Sequence, residues 1–138
     1  MYPDKLKYTK NHEWIKLIHN NNKKELIKNS SASAHVGITF FAQKELGDII
    51  FLDISKSLIG NKKKQGETFG TIEAVKTVSD LFMPVSGKII NINNELVSKP
   101  ELVNKDSYKY WVIKIEISNI EEYNRLMSKE EYEKYFKS

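Results

Sequence analysis

Two nine-residue segments restrict the fold more than anything else in the chain. In "GDIIFLDIS", residues 47–55, Ile50, Leu52 and Ile54 fall on one side of an extended backbone and Ile49, Phe51 and Asp53 on the other. In "YWVIKIEIS", residues 110–118, Trp111, Ile113, Ile115 and Ile117 point one way, while Val112, Lys114 and Glu116 point the other. A period of two is that of half-buried antiparallel strands. Glycines at 37, 47, 60, 66, 70 and 87 are expected to mark turns or bends between short segments, as in a sandwich or barrel.

The two segments also belong to a repeat. Shifted by forty positions, "GDIIFLDI" from Gly47 lies over "GKIININN" from Gly87, and "TIEAV" from Thr71 lies over "WVIKI" from Trp111. Two similar strand pairs are therefore expected to face each other, with the chain crossing between them through "EAVKTVSDLFMPVSG".

Helices are expected to be short and peripheral. "ITFFAQKELG" reads as one to two turns capped by Thr39 and closed at Gly47. "SNIE" and "SKEE" read as capping boxes, Ser118 to Glu121 and Ser128 to Glu131, opening two helices whose aromatic residues pack against the sheets. "HNNNKKELIKNSSASAH", residues 19–35, reads as a polar insertion between strands.

Composition excludes several classes of function. The 138 residues suffice for one cored domain, expected over 1–138, and contain no cysteine, hence no disulfide framework or thiol nucleophile. His12, His19 and His35 have no metal-ligand spacing. The net charge of +4 is dispersed among 18 acids, and the run Lys62, Lys63, Lys64 lacks interleaved aromatics, so it reads as a solvated loop and nucleic acid is not an expected partner. No apolar run reaches the length of a membrane span. "MYPDKLKYTKNHEWI" alternates from the start, so no leader is expected within the sequence as it stands.

One lysine stands apart. In "GTIEAVKTVSD", Lys76 lies between β-branched segments, with Glu73 and Asp80 as the nearest charges. Carboxylates nearby would hold the ammonium protonated, which disfavours a Schiff-base or general-base role. No glycine-rich loop feeds a helix, which disfavours phosphate binding. An exposed lysine on a stiff hairpin suits attachment of a long prosthetic group, with Val75 and Val78 stiffening the tip and the tether raising the cargo's effective concentration at each partner.

The chain resembles the H protein family of the glycine cleavage system, the lipoyl carriers of that pathway. The resemblance runs through "KYTKNHEWI", "VGITFFAQKELGDIIFLDI", "GETFGTIEAVKTVSDLFMPVSGKIININNEL", "KPELVNKDSYKYWVIKI" and "EEYNRLMSKEEYEKYF", nearly the whole chain apart from the polar insertion. It implies a mainly β, lipoyl-domain-like barrel-sandwich hybrid of two small antiparallel sheets with short peripheral and C-terminal helices. Lys76 matches the lipoylated lysine, and Glu73 and Val75 match neighbours in the modification motif. The implied role is a shuttle rather than an enzyme. Lipoate amide-linked to Lys76 would accept an aminomethyl group from glycine decarboxylase, a pyridoxal-phosphate enzyme. It would pass that group to the tetrahydrofolate-dependent aminomethyltransferase and be reoxidised by dihydrolipoamide dehydrogenase. A lipoate-attaching enzyme is a fourth implied partner.

In the family the loaded arm folds into a cleft, and the matching positions are Glu13 in "NHEW" and Asp80 in "KTVSD". The chain departs from the family pattern at Ala74, where serine is usual, at Asn11, also a serine position, and at Tyr110, where glycine precedes the tryptophan. None of these removes Lys76, Glu13 or Asp80. A relay that donates lipoyl groups to other complexes needs the same lysine, so the residues leave that alternative open. A biotin carrier would set its lysine between methionines, whereas Val75 and Thr77 flank Lys76. The resemblance implies a mitochondrial protein in a eukaryote and a cytoplasmic one in a bacterium, with no membrane partner.

Overall fold

The computed structural model describes residues 5–18 and 32–137. Among the described residues, nine strands form two antiparallel sheets. The strands are β1 (Lys7–Tyr8), β2 (Glu13–Leu17), β3 (Ala32–Ile38), β4 (Ile49–Asp53), β5 (Lys62–Lys63), β6 (Thr68–Ala74), β7 (Val78–Phe82), β8 (Gly87–Ile92) and β9 (Ile113–Ile117). The larger sheet has the order β1-β2-β3-β9-β8-β5 and the smaller β4-β6-β7. This is the mainly β architecture expected from the alternation, with the two antiparallel sheets that the resemblance implies.

The core lies between the sheets. Ile15, Val36, Ile89 and Ile115 from the larger sheet join Leu52, Ile72 and Leu81 from the smaller in one buried cluster. Short helices cover its margins, namely α1 (Phe40–Leu46), α2 (Asn94–Ser98), α3 (Leu102–Lys105), α4 (Ile120–Asn124) and α5 (Lys129–Lys137). A satellite cluster of Leu6, Tyr8, Trp14 and Tyr132 joins α5 to β1 and β2. Tyr132 stacks on Tyr8 with ring centroids 4.7 Å apart, and Ile120 and Tyr123 pack on the main core, whereas Tyr135 is exposed. Among the described residues no helix is long and apolar enough to cross a membrane, and no group of three His, Asp or Glu side chains could hold a metal.

The repeat has a structural counterpart finer than the sequence comparison required. β4 pairs with β6 and β8 with β9, one pair in each sheet. The first pairing is interrupted between Ile49 and Phe51, the second between Ile89 and Asn91, positions that differ by forty. Each break leaves one isoleucine out of register, as a β-bulge does. The second strands are offset by one residue, since Ile49 faces Ala74 while Ile89 faces Ile115.

Several expectations need correction. The bulge breaks the alternation of β4, so Ile49 and Leu52 are buried while Ile50 and Phe51 both face solvent. Gly37 and Gly70 lie inside strands rather than at turns. Gly37 serves close packing, because an added Cβ there would stand 2.5 Å from two atoms of the Trp14 ring. Lys62 and Lys63 form the edge strand β5, not a loop, and charged edge side chains discourage pairing with other chains. The polar insertion ends earlier than expected, since residues 32–35 belong to β3 and pair with β9. Its residues 19–31, His19 included, lie outside the described residues.

The caps divide. Thr39 accepts from the Ala42 N–H, and Gly47, at φ 79°, closes α1 by donating to the Gln43 carbonyl. Ser128 and Glu131 form the reciprocal capping box, with bonds of 2.9 and 3.2 Å. For α4, however, the cap is Asn119, whose side chain accepts from Glu121 N–H, and not Ser118. Ser118 instead donates its N–H to the Ser86 carbonyl, which ties the end of β9 to the β7–β8 loop.

Candidate functional site

Lys76 lies at the tip of the β6–β7 hairpin. Glu73 faces Val78 in the register, Ile72 faces Ser79, and the Ala74 N–H donates to the Thr77 carbonyl at 2.8 Å. Val75 and Lys76 therefore occupy the two central positions of the turn. A second tie comes from outside the hairpin, where the Val75 N–H donates to the Asp48 carbonyl at 3.3 Å. The backbone around the lysine is held on both sides, yet the lysine side chain is exposed. Neither Glu73 nor Asp80 forms an ion pair with Lys76 among the described residues.

These residues fit an amide-linked prosthetic arm. The turn is held by the ladder and by Asp48, Lys76 is exposed and neighbouring Val75 is 68% exposed, so the lysine is presented to solvent on a fixed backbone.

A second feature lies at the other end of β7. Glu13 opens β2 and is only 2% exposed, although it carries a carboxyl group. Its Oε2 accepts from the Phe82 N–H at 2.8 Å, and its Oε1 from the Thr9 hydroxyl at 3.2 Å. Thr9 Oγ1 in turn accepts from the Glu13 and Asn11 N–H groups, so the β1–β2 turn wraps the carboxyl. Burial pushes the Glu13 carboxyl up to about 8, against the smaller opposing effect of its bonds from Phe82 and Thr9. No basic side chain pairs with it among the described residues.

Glu13 borders a cleft of about 270 Å³, with Thr9, Met83, Pro84, Arg125 and Met127 also on its walls. The loop that carries Glu13 is anchored to α5. His12, at φ 65°, bonds through Nδ1 to the Tyr132 hydroxyl at 2.7 Å, and that hydroxyl also meets Thr39 Oγ1 at 2.8 Å.

Asp80 is exposed on β7, opposite Thr71, and is not among the residues that wall the Glu13 cleft. β7 thus leads from the hairpin turn that holds Lys76, past Asp80, to Phe82 beside the cleft. Its five extended residues span roughly 16 Å. Sequence reasoning missed Thr9 and Arg125. Thr9 stands four residues before Glu13, a spacing without meaning until the turn is known, and Arg125 reaches the cleft only through the packing of α4.

Comparisons with known proteins agree over nearly the whole chain. The family described as "Glycine cleavage H-protein" has a model that matches residues 6–138. The glycine cleavage system H protein of Koribacter versatilis is 44% identical over 134 residues, covering 97% of this chain and 93% of the relative. That of Carboxydothermus hydrogenoformans is 45% identical over 133 residues, covering 96% and 92%. Among solved structures, the glycine cleavage system H protein from Mycobacterium marinum superposes with a TM-score of 0.81 at 29% identity, covering 99% of this chain and 100% of that one.

Proposed function

The chain belongs to the glycine cleavage H-protein family, which is lipoyl-bearing, and on that premise we propose that it is a non-catalytic shuttle whose attachment residue is Lys76. The observation that carries this reading is an exposed lysine at the centre of a turn that is hydrogen-bonded on both sides. When bound, lipoate supplies a disulfide–dithiol couple able to carry an aminomethyl group and electrons between glycine decarboxylase, the aminomethyltransferase and dihydrolipoamide dehydrogenase. The chain's own residues hold, orient and shelter.

Lys76 Nζ provides the amide nitrogen, and Glu73 and Val75 are part of what the attaching enzyme reads beside it. Glu13 waits in its cleft for a protonated amine. A buried carboxyl without a cationic partner lacks only a counter-charge, and an ammonium entering the cleft would bring one. Asp80, exposed along the path from tip to cleft, is the second carboxylate that pairs with the amine. The thiols come from the prosthetic group, in keeping with a chain that has no cysteine.

Residues 1–138 act as one carrier unit, without nucleic acid or membrane. The relatives are mostly bacterial and give a mitochondrial address no support, so the cytoplasm is the compartment we propose. Reconstitution with glycine decarboxylase and labelled bicarbonate tests the role. The lipoylated chain is expected to support exchange of label into glycine. No exchange, together with efficient lipoyl transfer to a dehydrogenase subunit, would instead identify a lipoyl relay.

A further inference from the structure

Four of the chain's exposed large apolar side chains gather around Lys76. Ile50 and Phe51 on β4 are 51% and 53% exposed, Val78 on β7 is 59% exposed, and Val75 sits in the turn itself. The strand register puts Phe51, Glu73 and Val78 in one row across the outer face of the smaller sheet, with Asp53, Thr71 and Asp80 in the next. These two rows hold three carboxylates and no basic side chain, in a protein whose net charge is +4.

The internal repeat shows that the fold does not require this surface. Phe51 corresponds to Asn91, which follows an equivalent bulge, lies in an equivalent strand pair and is also exposed. Its neighbour across the ladder is Lys114, where Phe51 has Glu73. One copy thus carries a phenylalanine beside an acid, and the other an asparagine beside a base, on the same backbone design. An exposed Phe that the backbone can replace by Asn adds no core packing and costs hydration.

We propose that the outer face of β4, β6 and β7 is a docking surface for the enzyme that attaches the prosthetic group to Lys76, whose matching surface has an apolar centre and a rim of Lys or Arg. This rests on the reading of Lys76 as the attachment site. Phe51, Ile50 and Val78 supply the desolvated centre, the part of an interface that carries most of the binding energy. Asp53 on the rim accelerates encounter and makes it salt-sensitive. The same surface leaves the tip itself free, so Nζ can enter the enzyme while the sheet face is held.

The test follows lipoyl transfer to the full chain by a purified lipoate–protein ligase with lipoate and ATP, read by intact mass. Phe51→Asn installs the residue that the second copy already uses. It is expected to raise KM for the carrier about tenfold with kcat changed less than about twofold, as for loss of a central contact. Asp53→Lys is expected to raise KM and flatten its dependence on salt. Glu116→Lys, the same charge change on the larger sheet, is expected to leave KM unaltered. Unchanged KM in both Phe51→Asn and Asp53→Lys would overturn the docking surface while leaving Lys76 as the attachment site. No modification of the parent chain at Lys76 would overturn both readings.

Discussion

Gly37→Ala is expected to destabilise the protein by about 3 kcal/mol or more, within the range of severe overpacking in a dense core. Gly37 is in β3 opposite Trp14 of β2, and the indole lies across the glycine where a side chain would otherwise project. An added Cβ would stand 2.5 Å from Cε2 and Cζ2 and 2.7 Å from Nε1. The ring has no room to give, since Trp14 is fully buried and its Nε1 donates to the Ser107 carbonyl at 3.0 Å. Moving the indole would break that bond and disturb the satellite cluster that docks α5. In thermal unfolding the midpoint is expected to fall by roughly 10 °C for a chain of this size. A change below about 2 °C would mean that the Trp14 ring is held less firmly than the packing indicates.

Glu13→Gln is expected to change how stability depends on pH. The carboxyl titrates at about 8 in the folded chain against 4.5 for the ordinary group. Between those two values the unfolded chain has released the proton while the folded chain keeps it, so stability falls as pH rises through this window. Below 4.5 both states are protonated and the penalty vanishes; above 8 it is fully present. The shift corresponds to at most about 5 kcal/mol. Glutamine keeps an oxygen for the Phe82 N–H and cannot ionise, so the variant should exceed the parent in stability at pH 8.5 and match it near pH 4.5. Equal pH profiles would show that Glu13 is ionised and solvated in the folded chain. For the proposed arm site, Glu13→Ala and Asp80→Ala chains loaded with the aminomethyl group should lose it to water faster than the parent, and equal loss would remove both residues from that role.

What could be read in advance followed from interactions that are local in the chain. Lys76, the Thr39 cap and the Ser128–Glu131 box depend on neighbours within a few residues, and each lies where the residue pattern placed it. The repeat was legible because glycine and paired isoleucines recur at a fixed distance, whereas the bulges were not, since nothing in "DIIF" shows which isoleucine the ladder will skip. The environment of Glu13 was out of reach for another reason. Its partner Phe82 is 69 residues away, and burial, which dominates its chemistry, arises only when β2, β7 and α4 come together. Phe51 illustrates the same limit, because its outward direction follows from the bulge and its lack of structural purpose emerges only beside Asn91.

The proposed shuttle role depends on Lys76 as the residue that carries the arm. Intact mass after expression with a lipoate ligase and lipoate tests this most directly. The parent chain should gain one lipoyl-sized increment, and Lys76→Arg, which keeps the charge at the tip and removes the amine, should gain none. An increment that persists in Lys76→Arg, or that never forms on the parent, would contradict it.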